Sequence, residues 1–447
     1  MLNTYYYTAS EMYDKLKKLL TMGIEFGESI KDPYFCIYGK SRILAIKVNR
    51  TWYINIDNWN IKDKKLLEKL DFNAITPSSY ALKEFKESLK ETRKYYNSLW
   101  PQLTPQINRI IKSGYNSGTL YAKPGFYNQP VYHYDLNSAY AEAFKKAAIP
   151  VGIPIIHKGF IPIDDEHLNI YCMDLNVEYT SHTMFPYLVN SGNNHKLPSQ
   201  IISNTGAQSL YKVITQTEFL DLQRDYDVEY ECLYTFQFNK AIGLFNNWVN
   251  KFFTLKNSAE GDLRTVYKGI LASLAGKFAQ GIEQQNIPLR VNEFGNVEYK
   301  TIKIERDDVQ YINPAISIFI VDYVRKLMRD TIRKINYQNI VNADTDGFIS
   351  TKKLDLELSK DLGKWKCTKY DNIIVNGTRS YFYTVNGEFH SSISGLGDIF
   401  EDGLNTYNYD SLWDLFKLKP VVPVIKKVMY CGQEKYITLN IQLGGKS

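Results

Sequence analysis

The sequence predicts an α+β fold, and three observations lead to that prediction. Apolar residues recur at helical spacing across residues 244–278, in two runs separated by a break that contains glycine. The apolar stretch at residues 340–350 is interrupted by Asp-Thr-Asp-Gly, which is typical of a β-hairpin. Residues 155–240 mix short strand-like runs with turns. Helices and β-hairpins are therefore expected in one chain of 447 residues.

The elements of the first half can be followed in order. Residues 1–60 combine one helical pattern with two strand-like runs, and residues 77–113 are charged and helix-prone. A Gly- and Tyr-rich stretch then leads into a strand at residues 131–136, which a helix follows directly. Residues 155–240 interrupt this pattern and look like an insertion of β and loop character.

The second half begins with the helical pair at residues 244–278. A β-like segment follows at residues 289–304. Asn313-Pro314 then predicts the N-cap and first-turn proline of a long helix that ends near residue 335. Strand pairs are expected at residues 338–350 and 372–385, and a small α/β tail is expected after them.

The composition is that of an ordinary globular protein. With 44% hydrophobic and 23% charged residues, the chain is long enough for two or three domains, and collagen, disordered polymers and disulfide-stapled miniproteins are excluded. The 54 Lys and Arg residues exceed the 48 Asp and Glu residues, and the net charge of +6 fits local binding of polyanions without requiring it. The unusual count is the 35 tyrosines.

No targeting or membrane segment is expected. The N-terminus lacks a basic stretch followed by an apolar one, and no run reaches 18 apolar residues. The five cysteines are far apart, form no Cys-x-x-Cys pair and show no zinc spacing. A reducing, cytoplasmic location is the prediction.

Carboxylates at the ends of predicted strands mark a candidate catalytic site. The strand at residues 131–136 carries Asp135 at its end, and the hairpin at residues 340–350 carries Asp344 and Asp346 at its tip. Mg²⁺ is usually held by one or two carboxylates together with substrate phosphates and water, and two such ions can activate a hydroxyl and stabilise a leaving pyrophosphate. The alternative is an ordinary turn, because Asp and Gly are common turn residues.

A basic helix face is the second candidate feature. Arg264 and Lys268 are four residues apart and share one face of the second helix of the pair, and Lys256 precedes them by eight residues. Cations on a rigid helix could neutralise and orient a triphosphate. The alternative is a solvated basic face without a ligand.

Together these motifs resemble those of family B DNA polymerases. Residues 135–140, Asp-Leu-Asn-Ser-Ala-Tyr, look like the first palm motif of that family. Residues 268–278 are similar to the fingers helix, and residues 344–346 match the Asp-Thr-Asp hairpin. The spacing is most similar to that of the protein-primed polymerases of small phages of Gram-positive bacteria. The resemblance covers about residues 115–447.

The resemblance implies a right-hand polymerase with an antiparallel palm sheet, helical-hairpin fingers, a small thumb and a small N-terminal α/β domain. The expected segments are an N-terminal domain (1–112), the first part of the palm (113–154), an insertion in the position where these enzymes dock their terminal protein (155–240), the fingers (241–280), a β-hairpin-like insertion (281–308), the second part of the palm (309–400) and the thumb (401–447).

Metal-site and nucleotide-site residues follow from the same resemblance. Asp135 and Asp346 would bind two Mg²⁺ ions, for which Mn²⁺ is expected to substitute, and Asp344 would be a further ligand or an orienting group. The residues expected to bind the incoming dNTP are Leu136, Tyr140, Lys256, Arg264 and Lys268. The ring of Tyr140 would pack beneath the sugar and exclude a 2′-hydroxyl.

Primer and template contacts complete the expected site. Arg379 and Tyr381 look like the Lys-x-Tyr element that holds the primer terminus, with Arg in place of Lys. Ser138 of the first palm motif is also expected to contact DNA. Gly125 falls near the position of a Tyr-x-Gly-Gly turn that contacts template DNA in the family.

Two departures from the family pattern are informative. Ala275 and Ala272 replace the Tyr and Asn of the usual fingers motif, so a stacking surface worth about 1–3 kcal/mol is expected to be missing. Residues 1–130 contain no Asp-x-Glu, so no intact 3′–5′ exonuclease and no proofreading are expected.

The resulting hypothesis is a template-directed DNA polymerase that uses DNA, dNTPs and, at initiation, a terminal-protein hydroxyl. A reverse transcriptase or primase-like palm enzyme shares the carboxylate chemistry and is one alternative. A non-catalytic DNA-binding relative is the other, and Ala272 and Ala275 favour it.

Overall fold

The computed structural model describes residues 3–38, 42–61, 64–70, 72, 74–89, 93–116, 118–190, 200–280, 284–303, 313–393, 421–430 and 433–442. Among these residues the helices are α1 (Ala9–Thr21), α2 (Lys64–Leu70), α3 (Pro77–Ser88), α4 (Arg93–Leu99), α5 (Pro105–Ser113), α6 (Ala139–Lys146), α7 (Gln216–Asp225), α8 (Asn246–Ser258), α9 (Gly261–Phe278) and α10 (Pro314–Arg333). Two short 3₁₀ helices lie at Ile56–Trp59 and Tyr337–Asn339.

The strands of the first half are β1 (Asn3–Tyr7), β2 (Tyr34–Tyr38), β3 (Ile43–Val48), β4 (Thr51–Asn55), β5 (Thr119–Ala122), β6 (Gly125–Tyr127), β7 (Val131–Leu136), β8 (Ile149–Lys158), β9 (His167–Tyr179), β10 (Leu188–Asn190), β11 (Gln200–Ile202), β12 (Leu210–Thr215) and β13 (Tyr226–Ala241). The remaining strands are β14 (Gln284–Val291), β15 (Val297–Lys303), β16 (Ile340–Thr345), β17 (Gly347–Ser350), β18 (Trp365–Tyr370), β19 (Asn372–Gly377), β20 (Ser380–Val385), β21 (Glu388–Ile393), β22 (Val421–Tyr430) and β23 (Gln433–Gln442). No helix of the described residues is long and apolar enough to cross a membrane.

The chain divides into two compact units, each assembled from distant segments. The first unit comprises Met1–Ser98, Leu244–Ile312 and Lys427–Ile437. The second comprises Leu99–Gly243, Asn313–Lys426 and Thr438–Ser447.

The first unit contains a four-stranded sheet in the order β1-β4-β3-β2, in which only β1 runs parallel to its neighbour β4. Met12 and Leu16 of α1 are buried against this sheet, and they share a core with Ile287 and Val297 of the β14–β15 hairpin. Thr8 caps α1, since its hydroxyl accepts from the Glu11 amide while the Glu11 carboxylate accepts from the Thr8 amide.

The predicted helical pair is present in the first unit as α8 and α9. Apolar side chains at helical spacing are buried along both helices, and they include Trp248, Phe252, Ile270 and Leu274. The ring of Phe245, just before α8, stacks on Phe85 of α3 with 4.0 Å between centroids. Aromatic packing therefore joins the α8–α9 pair to α3, the first helix of the charged segment at residues 77–113.

The second unit is built on a five-stranded antiparallel sheet in the order β18-β7-β17-β16-β5. A second antiparallel sheet has the order β21-β20-β19-β6, and a third, from the insertion, has the order β12-β9-β13-β8. The predicted strand pairs near the C-terminal end are present as β16–β17 and β19–β20. Mixed helices and antiparallel sheets agree with the predicted α+β class.

The insertion departs from the prediction because it contains the helix α7. This helix packs on α10. Both helices share one hydrophobic core with the five-stranded sheet, in which Tyr134 and Phe348 of the sheet pack with Phe219 of α7 and Met328 of α10. The expected thumb lies partly outside the described residues, since residues 401–420 are not among them. Its described part is the hairpin β22–β23.

A buried ladder of ion pairs joins α7 to α10. Arg325 pairs with Glu218 at 3.0 Å, and the fully buried Arg329 donates from Nε to Asp221 at 2.6 Å. The spacing of four residues along α10 and three along α7 places these groups on facing stripes. Burying so many charges is tolerated only because each has a partner of opposite sign.

Replacing Arg329 by Ala is expected to lower the free energy of unfolding by about 3–5 kcal/mol, because the buried Asp221 and Asp322 would each lose an ion-pair partner, although Asp221 would keep its pair with Arg333. Urea unfolding followed by circular dichroism measures the change. Lys326→Ala is the matched control: it removes a cation from the same helix, but its pair with Asp330 is partly exposed to solvent and should contribute less than about 1 kcal/mol. Equal losses in the two variants would contradict the role given to the ladder.

Candidate active site

The five-stranded sheet brings Asp135 and Asp346 together from distant parts of the chain. Asp135 lies near the end of β7, and its partner in the register on β17 is Gly347, the residue after Asp346. The Leu136 amide donates to the Asp346 carbonyl at 2.9 Å. Since paired strands lie about 4.8 Å apart, the two residues predicted to bind metal are neighbours at one edge of the sheet.

The turn that carries Asp344 and Asp346 is unusually tight. The Asp346 amide donates to the Asp344 carbonyl at 2.7 Å, and Thr345 between them has φ of 57°, in the left-handed region. The Thr345 hydroxyl donates to Asp344 Oδ1 at 2.9 Å and holds the conformation. Gly347 is required next to it, since a Cβ there would lie 2.8 Å from the Tyr134 carbonyl oxygen.

Gly118, just before β5, approaches the same turn from the other side. A Cβ on Gly118 would lie 2.5 Å from the Cα of Thr345, so only glycine permits this approach. Sequence reasoning had instead selected Gly125. That residue lies in β6 and pairs with Val375 of β19, in a different sheet from the carboxylates. Its proposed contact with template DNA stays a prediction.

Two cations pair with the carboxylates. Lys366 of β18 donates to Asp135 Oδ2 at 3.1 Å, and the two residues are direct partners in the β7–β18 register. Arg379 donates from Nε to Asp344 Oδ1 at 2.9 Å and from Nη2 to the Thr345 hydroxyl at 3.0 Å. Arg379 was predicted as a primer contact, whereas Lys366 was missed because its position opposite Asp135 depends on a register that local sequence does not reveal.

A strand-to-helix turn places Tyr140 beside this site. Ser138 has φ of 55° and turns the chain from β7 into α6, and the buried Leu136 anchors the end of the strand. The Asn137 amide donates to the Lys364 carbonyl at 2.9 Å and fixes the turn. Sequence reasoning did not single out Asn137.

The electrostatic surroundings of Tyr140 place it near the carboxylates. Its pKa is raised, chiefly by burial and then by Tyr115, Asp346 and Asp344, while Arg379 opposes the shift. Tyr115 lies between α5 and β5 and was not predicted. The Tyr140 hydroxyl therefore stays protonated at neutral pH.

Tyr381 is buried on β20, and the same carboxylates influence it. Its pKa is raised by burial first, with smaller contributions from Tyr383, Asp344 and Asp135. His133 lies two residues before Asp135, and its Nδ1 shares a hydrogen bond of 2.8 Å with the Tyr370 hydroxyl. Burial lowers the pKa of His133, which favours the neutral ring.

The predicted nucleotide-binding cations lie in the first unit, whereas the carboxylates lie in the second. Arg264 and Lys268 are exposed on one face of α9. Lys256 of α8 is buried, with its ammonium 4.6 Å from the centroid of Phe253, and its carbonyl accepts from Arg264 Nη1 at 2.9 Å. The three cations thus form one local group, and their contact with a triphosphate stays a prediction.

The two alanines of the fingers motif differ in exposure. Ala275 is buried on α9, whereas Ala272, one turn earlier, is exposed. Neither side chain can supply the stacking surface that the resemblance implied.

The donor set at the sheet edge fits a hard divalent cation. Asp135 and Asp346 offer carboxylate oxygens from adjacent strands, and Mg²⁺ is commonly held by one or two carboxylates with the rest of its shell from phosphates and water. Within the described ranges no group of three Asp, Glu, His or Cys side chains forms a ready-made metal cage.

Comparisons with known proteins agree with this geometry. The family model described as "DNA polymerase type B, organellar and viral" matches residues 59–356 of the 447. The DNA polymerase of Bacillus phage Nf is 23% identical over 299 residues, which cover 66% of this chain and 51% of that protein. The DNA polymerase of Bacillus phage phi29 is 22% identical over 362 residues, which cover 78% of this chain and 62% of that protein. The chain thus spans between half and two thirds of the length of these curated relatives.

The fold is also similar to that of a solved structure. Phi29 DNA polymerase in complex with primer-template DNA and incoming nucleotide superposes with a TM-score of 0.81 at 16% identity, covering 99% of this chain and 91% of that one. The predicted fold class, an α+β right-hand polymerase fold, is confirmed by this similarity. Since the family model accounts for well over half of the residues, the chain belongs to the type B DNA polymerases of organelles and viruses.

Proposed function

We propose that the chain is a template-directed DNA polymerase that adds dNTPs to a primer 3′-hydroxyl. The observation that carries this proposal is the placement of Asp135 and Asp346 side by side at the ends of β7 and β17. The relatives support it, because those from Bacillus phages are named DNA polymerases and the similar solved structure holds primer-template DNA and nucleotide. Its relatives are phage enzymes, so the proposed site of action is the bacterial cytoplasm.

The proposed reaction is an in-line attack of the 3′-hydroxyl on the α-phosphate of the dNTP, with pyrophosphate as the leaving group. Asp135 and Asp346 would hold two Mg²⁺ ions, or Mn²⁺ in their place, which supply hydroxyl activation and charge neutralisation when bound. Asp344 would orient the turn that carries Asp346. Arg264 and Lys268 would neutralise and align the triphosphate, and Lys256 would hold Arg264 through its carbonyl.

Tyr140 is proposed to select deoxyribose. It follows Asp135 by five residues, directly after the turn at Ser138, and Asp346 contributes to its electrostatic environment, which supports a position of its ring beside the nucleotide. Because the hydroxyl is protonated, the residue presents an uncharged edge that a 2′-hydroxyl would clash with. Leu136 would support the nucleotide from the end of β7.

Tyr381, Arg379 and Ser138 are proposed to hold the primer strand. Tyr381 lies on β20 near Asp344 and Asp135, which suits a contact with the primer terminus. Arg379 fixes Asp344 and also presents a guanidinium that suits a phosphate. Gly125 is kept as a proposed template contact on β6.

Priming by a terminal protein is the proposed mode of initiation. The motif spacing of phage relatives supports it, and a hydroxyl of the terminal protein would then replace the primer 3′-hydroxyl. Residues 155–240 are the proposed docking region, and their sheet is anchored on the palm through α7 and α10. We also propose that the N-terminal domain has no proofreading activity, since it lacks Asp-x-Glu.

Asp135→Asn and Asp346→Asn should each lower primer extension by at least about 10³-fold, because each removes a charged ligand of a metal that activates the nucleophile or leaving group. Extension of a labelled primer on a DNA template in Mg²⁺ measures activity, and gel shift measures DNA binding, which should be retained. Asp355→Asn, at an exposed position, is the matched control and should extend normally. Synthesis near the wild-type rate in either site variant would refute the metal-ligand assignment.

Tyr140→Val is expected to relax the choice of sugar. Removing the ring that blocks the 2′-hydroxyl should raise the kcat/KM for rNTP relative to dNTP by about 10–200-fold. Single-nucleotide incorporation with matched dNTP and rNTP gives the ratio. Tyr234→Val changes an exposed tyrosine on β13 and should leave the ratio unaltered. An unchanged ratio in Tyr140→Val would remove Tyr140 from the sugar site.

The absence of proofreading can be tested directly. A 5′-labelled primer with a mismatched 3′ end, incubated with the chain and Mg²⁺ but without dNTP, should keep its full length. A nuclease activity that shortens the primer and co-purifies with the chain would contradict the proposal. If that activity persisted in Asp135→Asn, the nuclease site would lie outside the palm carboxylates.

A further inference from the structure

Each of two carboxylates at the proposed active site is paired with a cation from another strand. Asp135 is bonded to Lys366 at 3.1 Å, and Asp344 is bonded to Arg379 at 2.9 Å. With Asp346 the site therefore combines three carboxylates and two cations. The Arg379 pair belongs to an element already predicted to act on DNA, whereas Lys366 has no role in any step proposed above.

The position of Lys366 is fixed by the sheet. It lies on β18 directly opposite Asp135 on β7, and cross-strand partners project from the same face of a sheet. Its ammonium bonds Oδ2 of the carboxylate that the proposed function assigns to metal. Both side chains are about half exposed, at 47% for Lys366 and 41% for Asp135. Water therefore reaches the ion pair, and the carboxylate can exchange the ammonium for another cation.

Other charges converge on the same place. Asp135, Lys366 and Asp344 all contribute to the electrostatic environment of the half-buried His133, and Lys366 also bonds Asp135 directly. A divalent cation bound to Asp135 would lie within a few Å of the ammonium, and two positive charges at that separation repel each other. The metal and Lys366 are therefore alternatives for the same oxygen.

We propose that Lys366 is a positioning residue that competes with the metal for Asp135 and thereby sets the metal affinity of the site. The proposal rests on the proposed function, because it takes Asp135 as a metal ligand. Lys366 holds the carboxylate in place while the metal is away. It also weakens metal binding until a nucleotide brings phosphate oxygens, so that metal and nucleotide bind together.

The test is Mn²⁺ binding, measured by the loss of the electron paramagnetic resonance signal of free Mn²⁺, with full-length protein and no DNA or dNTP. Lys366→Met removes the charge at similar side-chain length and should tighten Mn²⁺ binding about three- to tenfold. Lys366→Arg keeps the charge and should stay near wild type. Lys369→Met removes an exposed lysine three residues along β18, on the opposite face, and should also stay near wild type.

A second readout ties the binding to the reaction. The Mg²⁺ concentration for half-maximal primer extension should fall in Lys366→Met by a similar factor, whereas Lys369→Met should not shift it. Circular dichroism confirms that the variants fold. Asp135→Asn identifies the site, since it should remove the Mn²⁺ affinity that Lys366→Met gains.

The outcomes separate the two proposals. Tighter Mn²⁺ binding in Lys366→Met, without polymerase activity in any variant, would support the role of Lys366 and refute the proposed function. Unchanged Mn²⁺ affinity in Lys366→Met, an equal gain in Lys369→Met, or no Mn²⁺ binding by any variant would overturn the role of Lys366. Weaker primer-template binding with unchanged Mn²⁺ affinity would make Lys366 a nucleic-acid contact instead, and would overturn it as well.

Discussion

The antiparallel pairing of β7 with β17 on one side and β18 on the other is the constraint on which the site depends. It places Asp135 between Gly347 and Lys366 in the register. A shift of one residue would turn Asp135 to the opposite face and separate it from both. The register is protected because Tyr134, the neighbour of Asp135 that projects to the other face, is fully buried beneath the sheet. The packing of the core thus fixes the geometry of the carboxylates.

The same core explains why residues 155–240 belong to the second unit. Phe219 of α7 packs with Tyr134 and Phe348 under the sheet, and the ion-pair ladder holds α7 against α10. Apolar burial supplies most of the attraction between these layers, whereas the ladder restricts how the two helices can be aligned, because a slide by one turn would leave buried charges unpaired. Residues 155–240 are therefore joined to the five-stranded sheet by both apolar packing and buried ion pairs.

Sequence patterns predicted the features that depend on neighbouring residues. The Asp-Thr-Asp-Gly hairpin, the strand-to-helix turn around Ser138 and the α8–α9 pair are all encoded within short stretches, and all three are present. Features that depend on register or on packing between distant segments were missed. Lys366 bonds Asp135 across adjacent strands, and Gly118 lies against Thr345 in a close backbone contact. The charges of α7 have the sequence pattern of a solvent-exposed face, but in the structure they pair with arginines of α10.

The charge balance of the site gives a reason for the tyrosines that surround it. Tyr381 is buried and Tyr140 is half-buried near the carboxylates, and burial together with those negative charges raises the pKa of both phenols. Both phenols therefore stay neutral at neutral pH. A lysine in either position would compete for the carboxylates as Lys366 does, and a further carboxylate would add repulsion. In the proposed function a neutral ring would shape the pocket for a sugar and a primer, while the charge of the site would come from the carboxylates, Lys366, Arg379, the metal and the substrate phosphates.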